Sequence, residues 1–179
     1  MKRILIAGIN TNELASYESA LVEPNYNVLK AADSGELLKK YRSELERSLA
    51  SRSEGSAAAV LPFDAVILNH TASLNEDGLQ AAREILSVNP RQRIVFVSDS
   101  DGCTTELQKE FYGRVEVIQK PFEHKALIEL IESAEVYRAL EKLGLNMQKL
   151  KECNLHHFQL QDLLAACITL LEAQSGNGK

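Results

Sequence analysis

A handful of residues stand just beyond short apolar runs, and these are the positions at which the sequence could do chemistry. Gly8 and Ile9 follow Ile4-Leu5-Ile6-Ala7, and Asn69 follows Phe63-Asp64-Ala65-Val66-Ile67-Leu68. Ser98 follows Arg93-Ile94-Val95-Phe96-Val97, and Lys120, in a Lys120-Pro121 pair, comes just after Val115-Glu116-Val117-Ile118. An ammonium and a hydroxyl together could hold an anion. A divalent cation is a different matter, because Mg²⁺ prefers anionic oxygen and sheds water reluctantly. Gly8, Ile9 and Asn69 offer it no carboxylate. The amide of Asn69 is also uncharged, so it offers no nucleophilic carboxylate. The nearby acids are Asp64, Asp77, Asp99 and Asp101. Asp64 precedes its apolar run and so belongs at the far end of it. The other three read as exposed loop residues, with Asp99 and Asp101 close enough to Ser98 to reach its rim. Lys120 is expected to pair with Asp99 or Asn69, or to remain solvated.

The apolar runs are too short and too β-branched for helices and suit buried parallel strands. A further short strand is predicted at Val28-Leu29-Lys30-Ala31. Helices are predicted between the strands. The first covers Glu13 to Leu21. The second starts at Asp33-Ser34-Gly35-Glu36, where Asp33 or Ser34 can cap free amides and Glu36 sits in the favourable first turn, and it runs through Leu37, Leu38, Tyr41 and Leu45 toward Leu49. Residues 50–60, rich in Ser, Ala and Gly, read as a loop or frayed helix end. Asp77-Gly78 reads as a turn before a third helix, Leu79 to Val88, which Asn89-Pro90 ends. A fourth helix is predicted from Thr104 to Phe111. A fifth opens at Pro121-Phe122 and carries Leu127, Leu130, Ile131, Ala134 and Tyr137. Five strands alternating with five helices predict an α/β fold, a doubly wound five-stranded parallel sheet with helices on both faces. The site of such a sheet lies outside the carboxyl ends of its strands, where Gly8, Ile9, Asn69, Ser98 and Lys120 fall.

Three segments between Lys2 and Ser133 resemble the receiver domain of bacterial response regulators. FDAVILN with EDGLQAAREIL is similar to the third strand, phosphoacceptor loop and third helix of that family. RIVFVS is similar to the fourth strand with its terminal Ser or Thr, and VIQKPFEHKALIELI to the fifth strand, Lys-Pro pair and last helix. The resemblance implies the flavodoxin-like receiver fold and a Lys-Pro bond that is often cis. It also exposes departures. Gly8 and Ile9 stand where the family has its acidic pair, Asn69 where it has the phosphoacceptor aspartate, and Val117 where it often has an aromatic switch residue. The loop from Asn69 to Gly78 is one residue longer than usual. Gly8, Ile9, Asn69, Ser98 and Lys120 therefore form a degenerate phosphorylation pocket, in which nucleophile and metal site are lost together.

Beyond the fifth helix the chain continues. Gly144 can end that helix in the left-handed conformation, and Asn146 can cap the next. Leu150, Cys153, His157, Leu160, Leu164, Cys167 and Leu171 then recur at alternating steps of three and four, with Leu163 and Leu170 widening the stripe. This is heptad spacing, and an amphipathic helix must bury its stripe against a twin in a homodimer, another protein, or the domain itself. The homodimer is the expectation preferred here. Cys153 and His157 would lie one turn apart, but two ligands make a poor metal site. A seam containing a semi-polar histidine is the simpler account. The predicted organisation is a receiver-like domain over residues 1–143, a dimerisation or partner-binding helix over 144–174, and a disordered tail over 175–179.

Net charge of −5 without any dense Lys/Arg block disfavours nucleic acid as a partner. Three widely spaced cysteines, Cys103, Cys153 and Cys167, form no CxxC pair and fit a reducing compartment. No window approaches the length of a membrane span, and the opening apolar run is too short for a signal peptide. A cytoplasmic location is therefore expected, and the sequon Asn69-His70-Thr71 is read as chance. The resemblance and its losses together imply a non-enzymatic pseudo-receiver. Such a module needs no cofactor or metal, is independent of phosphorylation, and acts by protein–protein contact in a two-component or related pathway. Two alternatives stay open: an active phosphorelay receiver using a displaced acid such as Asp99 or Asp77, and a transcription or antitermination regulator with a C-terminal effector helix.

Overall fold

The computed structural model describes residues 1–7, 15, 17–19, 21, 26–51, 61–70, 76–99, 107, 109–111, 115–146, 149–150, 153, 155 and 157–176. Within these, five strands form one sheet: β1 (Arg3–Ala7), β2 (Asn27–Ala31), β3 (Ala65–His70), β4 (Ile94–Ser98) and β5 (Val115–Gln119). Four helices accompany them: α1 (Ser34–Ala50), α2 (Glu76–Val88), α3 (His124–Lys142) and α4 (His157–Gly176). All described strand pairs are parallel, in the order β2-β1-β3-β4-β5. That is the flavodoxin-like doubly wound order, with its switch point between β1 and β3. The predicted fold class is therefore present, together with its C-terminal helical extension.

Alternation along the strands explains the layering. Leu5, Ala7, Val66, Leu68, Ile94 and Phe96 form one buried set, and Ile4, Ile6, Ala65, Ile67, Val95 and Val97 the other, all 1% exposed or less. A strand buried on both sides must be apolar at every position, which is why these runs do not alternate in hydropathy. The first set packs with Leu37 and Tyr41 of α1, Ala81, Ala82, Ile85 and Leu86 of α2, and Leu107 and Phe111. Tyr41 donates its hydroxyl to Gln92 Oε1 at 3.2 Å, and Gln92 in turn donates to Phe63 O at 2.9 Å. Burial pushes the Tyr41 phenol up to about 12, although a hydrogen bond with Asn89 works in the opposite direction.

α1 begins as the sequence predicts. Glu36 N–H donates to Asp33 Oδ1 at 2.7 Å, and Glu36 Oε2 reaches back to accept from Ala32 N–H at 2.6 Å. Two free amides are satisfied reciprocally, a close variant of the capping box. That backbone contact, followed by Lys40, holds the Glu36 carboxyl below its ordinary value. The start of α2 differs from expectation. Asp77 and Gly78 do not form a turn: they lie in the first helical turn, which opens at Glu76. Two acids beside unpaired N–H groups favour helix there, and this outweighs the turn tendency of an Asp-Gly pair. The described residues of the first predicted helix (15, 17–19 and 21) are helical, as are 107, 109 and 110 of the fourth, whose predicted last residue, Phe111, lies in a turn. α3 starts at His124, two residues beyond the predicted Pro121-Phe122 opening.

By contact the chain divides into two compact units, Met1–Phe122 and Glu123–Lys179. The line falls ahead of α3, whereas the sequence suggested one after residue 143. Val136 and Leu140 of α3 share a buried cluster with Leu150 and Leu160, joined by Tyr137, Leu145, Leu155, Leu163, Leu164 and Cys167, so α3 and α4 form one packed hairpin. α3 ends in a Schellman motif. Gly144 has φ +86°, Gly144 N–H donates to Glu141 O at 2.9 Å, and Leu145 N–H donates to Leu140 O at 3.2 Å. Ser175 and Gly176, within the expected tail, belong to α4, and residues 177–179 lie outside the described residues.

Candidate functional site

Parallel pairing brings the candidate residues to one edge of the sheet. β3 runs two residues past Leu68, because Asn69 and His70 continue the ladder with Val97 and Ser98 of β4. Its pairing with β1 reaches Ala7↔Leu68. Ser98 is level with Gln119 of β5, and Lys120 N–H donates to Ser98 O at 2.8 Å. Asn69, Ser98 and Lys120 thus close three neighbouring strands. Asn69 lies inside its strand rather than just after it. The Lys120-Pro121 peptide is cis, as the resemblance implied. Beside it, Phe122 stacks on Tyr17 with ring centroids 5.5 Å apart and planes 6° from parallel. Gly8, Ile9 and Asp101 lie outside the described residues.

The electrostatics of this edge centre on Lys120. Its ammonium meets Asp99 Oδ1 at 3.0 Å, one of the pairings the sequence suggested. The lysine side chain is 17% exposed and the aspartate 43%, while Ser98, the last residue of β4, is fully buried. Asp64 is at the opposite end of the sheet, as expected. Arg3 N–H donates to Asp64 Oδ2 at 2.7 Å, and Asp64 N–H donates to Arg3 O at 2.8 Å. Asp77 is held in the first turn of α2. Among the described residues, no group of three or more His, Cys, Asp or Glu is arranged to hold a metal ion.

Sequence reasoning passed over His70, seeing it only within a chance sequon. As the last residue of β3 it lies level with Ser98, its ring set edge-on to Phe96 at 6.0 Å. Phe96 in turn lies 5.8 Å from Phe111. A row of rings therefore connects the carboxyl edge of the sheet to Phe111, ahead of β5. The signal that could have found it was the continued pairing partner, Ser98 opposite residue 70, which becomes visible only once the register is set. Val117, at the position often aromatic in receivers, packs into the same core cluster.

In the second unit the heptad stripe is not one helix. Asn146 caps a helical segment that includes Lys149 and Leu150, as expected, accepting at Oδ1 from Lys149 N–H at 3.1 Å. Cys153 is exposed in a turn, and α4 starts afresh at His157. Cys153 and His157 therefore do not share a helical face. Leu150, Leu160, Leu164 and Cys167 pack within the α3–α4 cluster, whereas Leu171, with Ile168 and Leu170, is exposed. The chain's own α3 thus packs with Leu150, Leu160, Leu164 and Cys167 of the stripe, while Cys153 and Leu171 stay exposed. The side chain of His157 lies outside the described set. No helix among the described residues is long and apolar enough to cross a membrane.

No protein-family model matches this sequence, and no curated protein matches it. Solved structures do. The chain is similar to a response regulator receiver domain protein from Clostridium thermocellum, at 18% identity over 78% of this chain and 98% of that one, with a TM-score of 0.59. It is similar to the response regulator TrrA from Thermotoga maritima, solved with Mg²⁺ and beryllofluoride, at 24% identity over 73% and 96%, with a TM-score of 0.55. A CheX–CheY complex with beryllofluoride and Mg²⁺ from Borrelia burgdorferi gives 17% identity over 74% and 88%, with a TM-score of 0.57. The fold is that of response regulator receiver domains.

Proposed function

We propose that this protein is a signalling module built on the receiver fold that works by binding proteins and is not itself phosphorylated. One observation carries this reading: the residue at the β3 edge, where the resemblance puts the phosphoacceptor, is Asn69, an amide without a nucleophilic carboxylate. Two further facts support it. The nearby acid Asp99 is engaged by Lys120. Gly8 and Ile9 bring no anionic oxygen to a divalent ion. The module is not an enzyme and uses no cofactor. Its partner is a protein, as CheX is for the similar CheY. The exposed outer half of α4, with Ile168, Leu170 and Leu171, offers a surface for a second copy of the chain, giving a homodimer.

The test is incubation of the full chain with acetyl phosphate and Mg²⁺, followed by intact-mass spectrometry and peptide mapping. The expected outcome is an unchanged mass, with no saturable Mg²⁺ binding by calorimetry. A phosphoryl adduct on Asp99, Asp77 or any residue of this edge would refute the proposal in favour of an active receiver.

A further inference from the structure

We infer that a second copy of the chain docks on one ridge of α4, Leu164–Ile168–Leu171, and that the two α4 helices cross antiparallel, Ile168 of each against Leu171 of the other. The inference rests on the reading of α4 as a homodimer face and adds which residues meet and in which direction. α4 carries two apolar ridges at steps of four and three. In the first, Leu163, Cys167 and Leu170, the leading two residues pack into the α3–α4 cluster. In the second only Leu164 does so, while Ile168 is 43% and Leu171 47% exposed. Together the ridges span about 160° around the helix, more than the stripe of about 100° that faces a single core. The first ridge belongs to α3. The second runs on from the α3–α4 seam onto exposed surface, where a further helix can lie beside it.

Charge fits a second copy of the same helix and sets its direction. The stretch Leu163–Leu171, LLAACITLL, carries no charge, and Asp162 and Glu172 flank it. A contact along it buries no ion. A second copy brings the same neutral stretch through a two-fold contact, the commonest symmetry of soluble oligomers. Parallel pairing would set each acid level with its own counterpart. Antiparallel pairing about the midpoint of Ile168 and Leu171 sets Glu172 level with Cys167 of the partner subunit and carries Asp162 past the end of the partner's helix. It also lays the two helix dipoles head to tail. Leu170, at 64% the most exposed of these leucines, ends the other ridge. It lies about 130° around the axis from the middle of Ile168 and Leu171, and so falls outside the contact.

The experiment is sedimentation velocity of full-length chains at micromolar concentration, with circular dichroism to check helix content. I168K and L171E, each alone, are expected to dimerise about a hundredfold more weakly than the native chain, because each presses a charge against an apolar side chain. Their equimolar mixture is expected to recover the dimer. In that mixture the introduced ammonium and carboxylate face each other across one half of the contact, and the native pair fills the other half. L170E is expected to dimerise as the native chain does. The reversed pair, I168E with L171K, repeats the test if either first variant loses helix. A mixture that stays monomeric, or an L170E chain that dissociates like the other two, would overturn the inference and leave the homodimer reading standing. A native chain that is itself monomeric sinks both.

Discussion

Arg3 and Lys120 stand at opposite ends of the same sheet, and each meets its acid differently. Lys120 pairs with the solvent-facing carboxylate of Asp99. Arg3 donates to Glu44 Oε2 at 2.6 Å and lies 5.1 Å from the centre of the Phe63 ring, while its main chain is pinned to Asp64. Glu44 is buried and also receives Arg47. The Arg3 hydrogen bond is the first cause holding the Glu44 carboxyl below its ordinary value of 4.5, against the opposing effect of burial. The folded chain therefore gives up this proton more readily than the unfolded chain. The resulting stabilisation is complete above pH 4.5 and is lost as the pH falls through the lower folded value. Glu44→Gln is expected to cost about 1 kcal/mol at neutral pH, with the difference from the native chain closing in acid. Urea denaturation at a series of pH values reads both quantities. A difference that stays constant into acid would contradict the assignment.

At the level of elements, the termini carry most of the specificity. α1 is opened by Asp33 and Glu36, and α3 is closed by Gly144, whose φ of +86° only glycine adopts without strain. A Cβ at Gly144 would meet nothing within 4 Å, so substitution there costs backbone strain alone. Gly144→Ala is expected to destabilise the α3–α4 unit by about 1 kcal/mol, and Gly144→Asn by less, since asparagine tolerates the left-handed region. Hydrogen exchange of the last-turn amides of α3 measures this directly. Equal protection in all three chains would show that the motif is not needed to close the helix. The heptad stripe teaches the complementary lesson. Spacing alone suggested one helix from Leu150 to Leu171, yet the chain turns at Cys153 and restarts at His157. The turn lets Leu150 and Leu160 both join the cluster with Val136 and Leu140, and this burial outweighs the continuity of a regular stripe.

For the whole molecule, the open question is what covers the outer half of α4. Its twenty residues contain two charges, Asp162 and Glu172, and Leu170 is 64% exposed. A helix with so few charges is normally buried over most of its surface. The expected outcome of sedimentation velocity is a dimer at micromolar concentration. The I168S/L170S/L171S variant is expected to be monomeric with unchanged helix content, because Leu160, Leu163 and Leu164 keep their packing on α3. A native chain that sediments as a monomer would remove the homodimer and leave a different protein as the occupant of this face.

The sequence by itself determined the five strands, the parallel sheet, the cap at Asp33, the stop at Gly144 and the uncharged amide at Asn69. Each follows from local chemistry: unbroken apolar runs, side chains that satisfy free amides, a backbone angle, the identity of one functional group. Only the tertiary structure decided that β3 extends to His70, that Lys120 takes Asp99, and that α3 packs with part of the C-terminal stripe. These depend on register and on which surfaces meet, and a local pattern carries no information about the partner across the sheet or beside the helix.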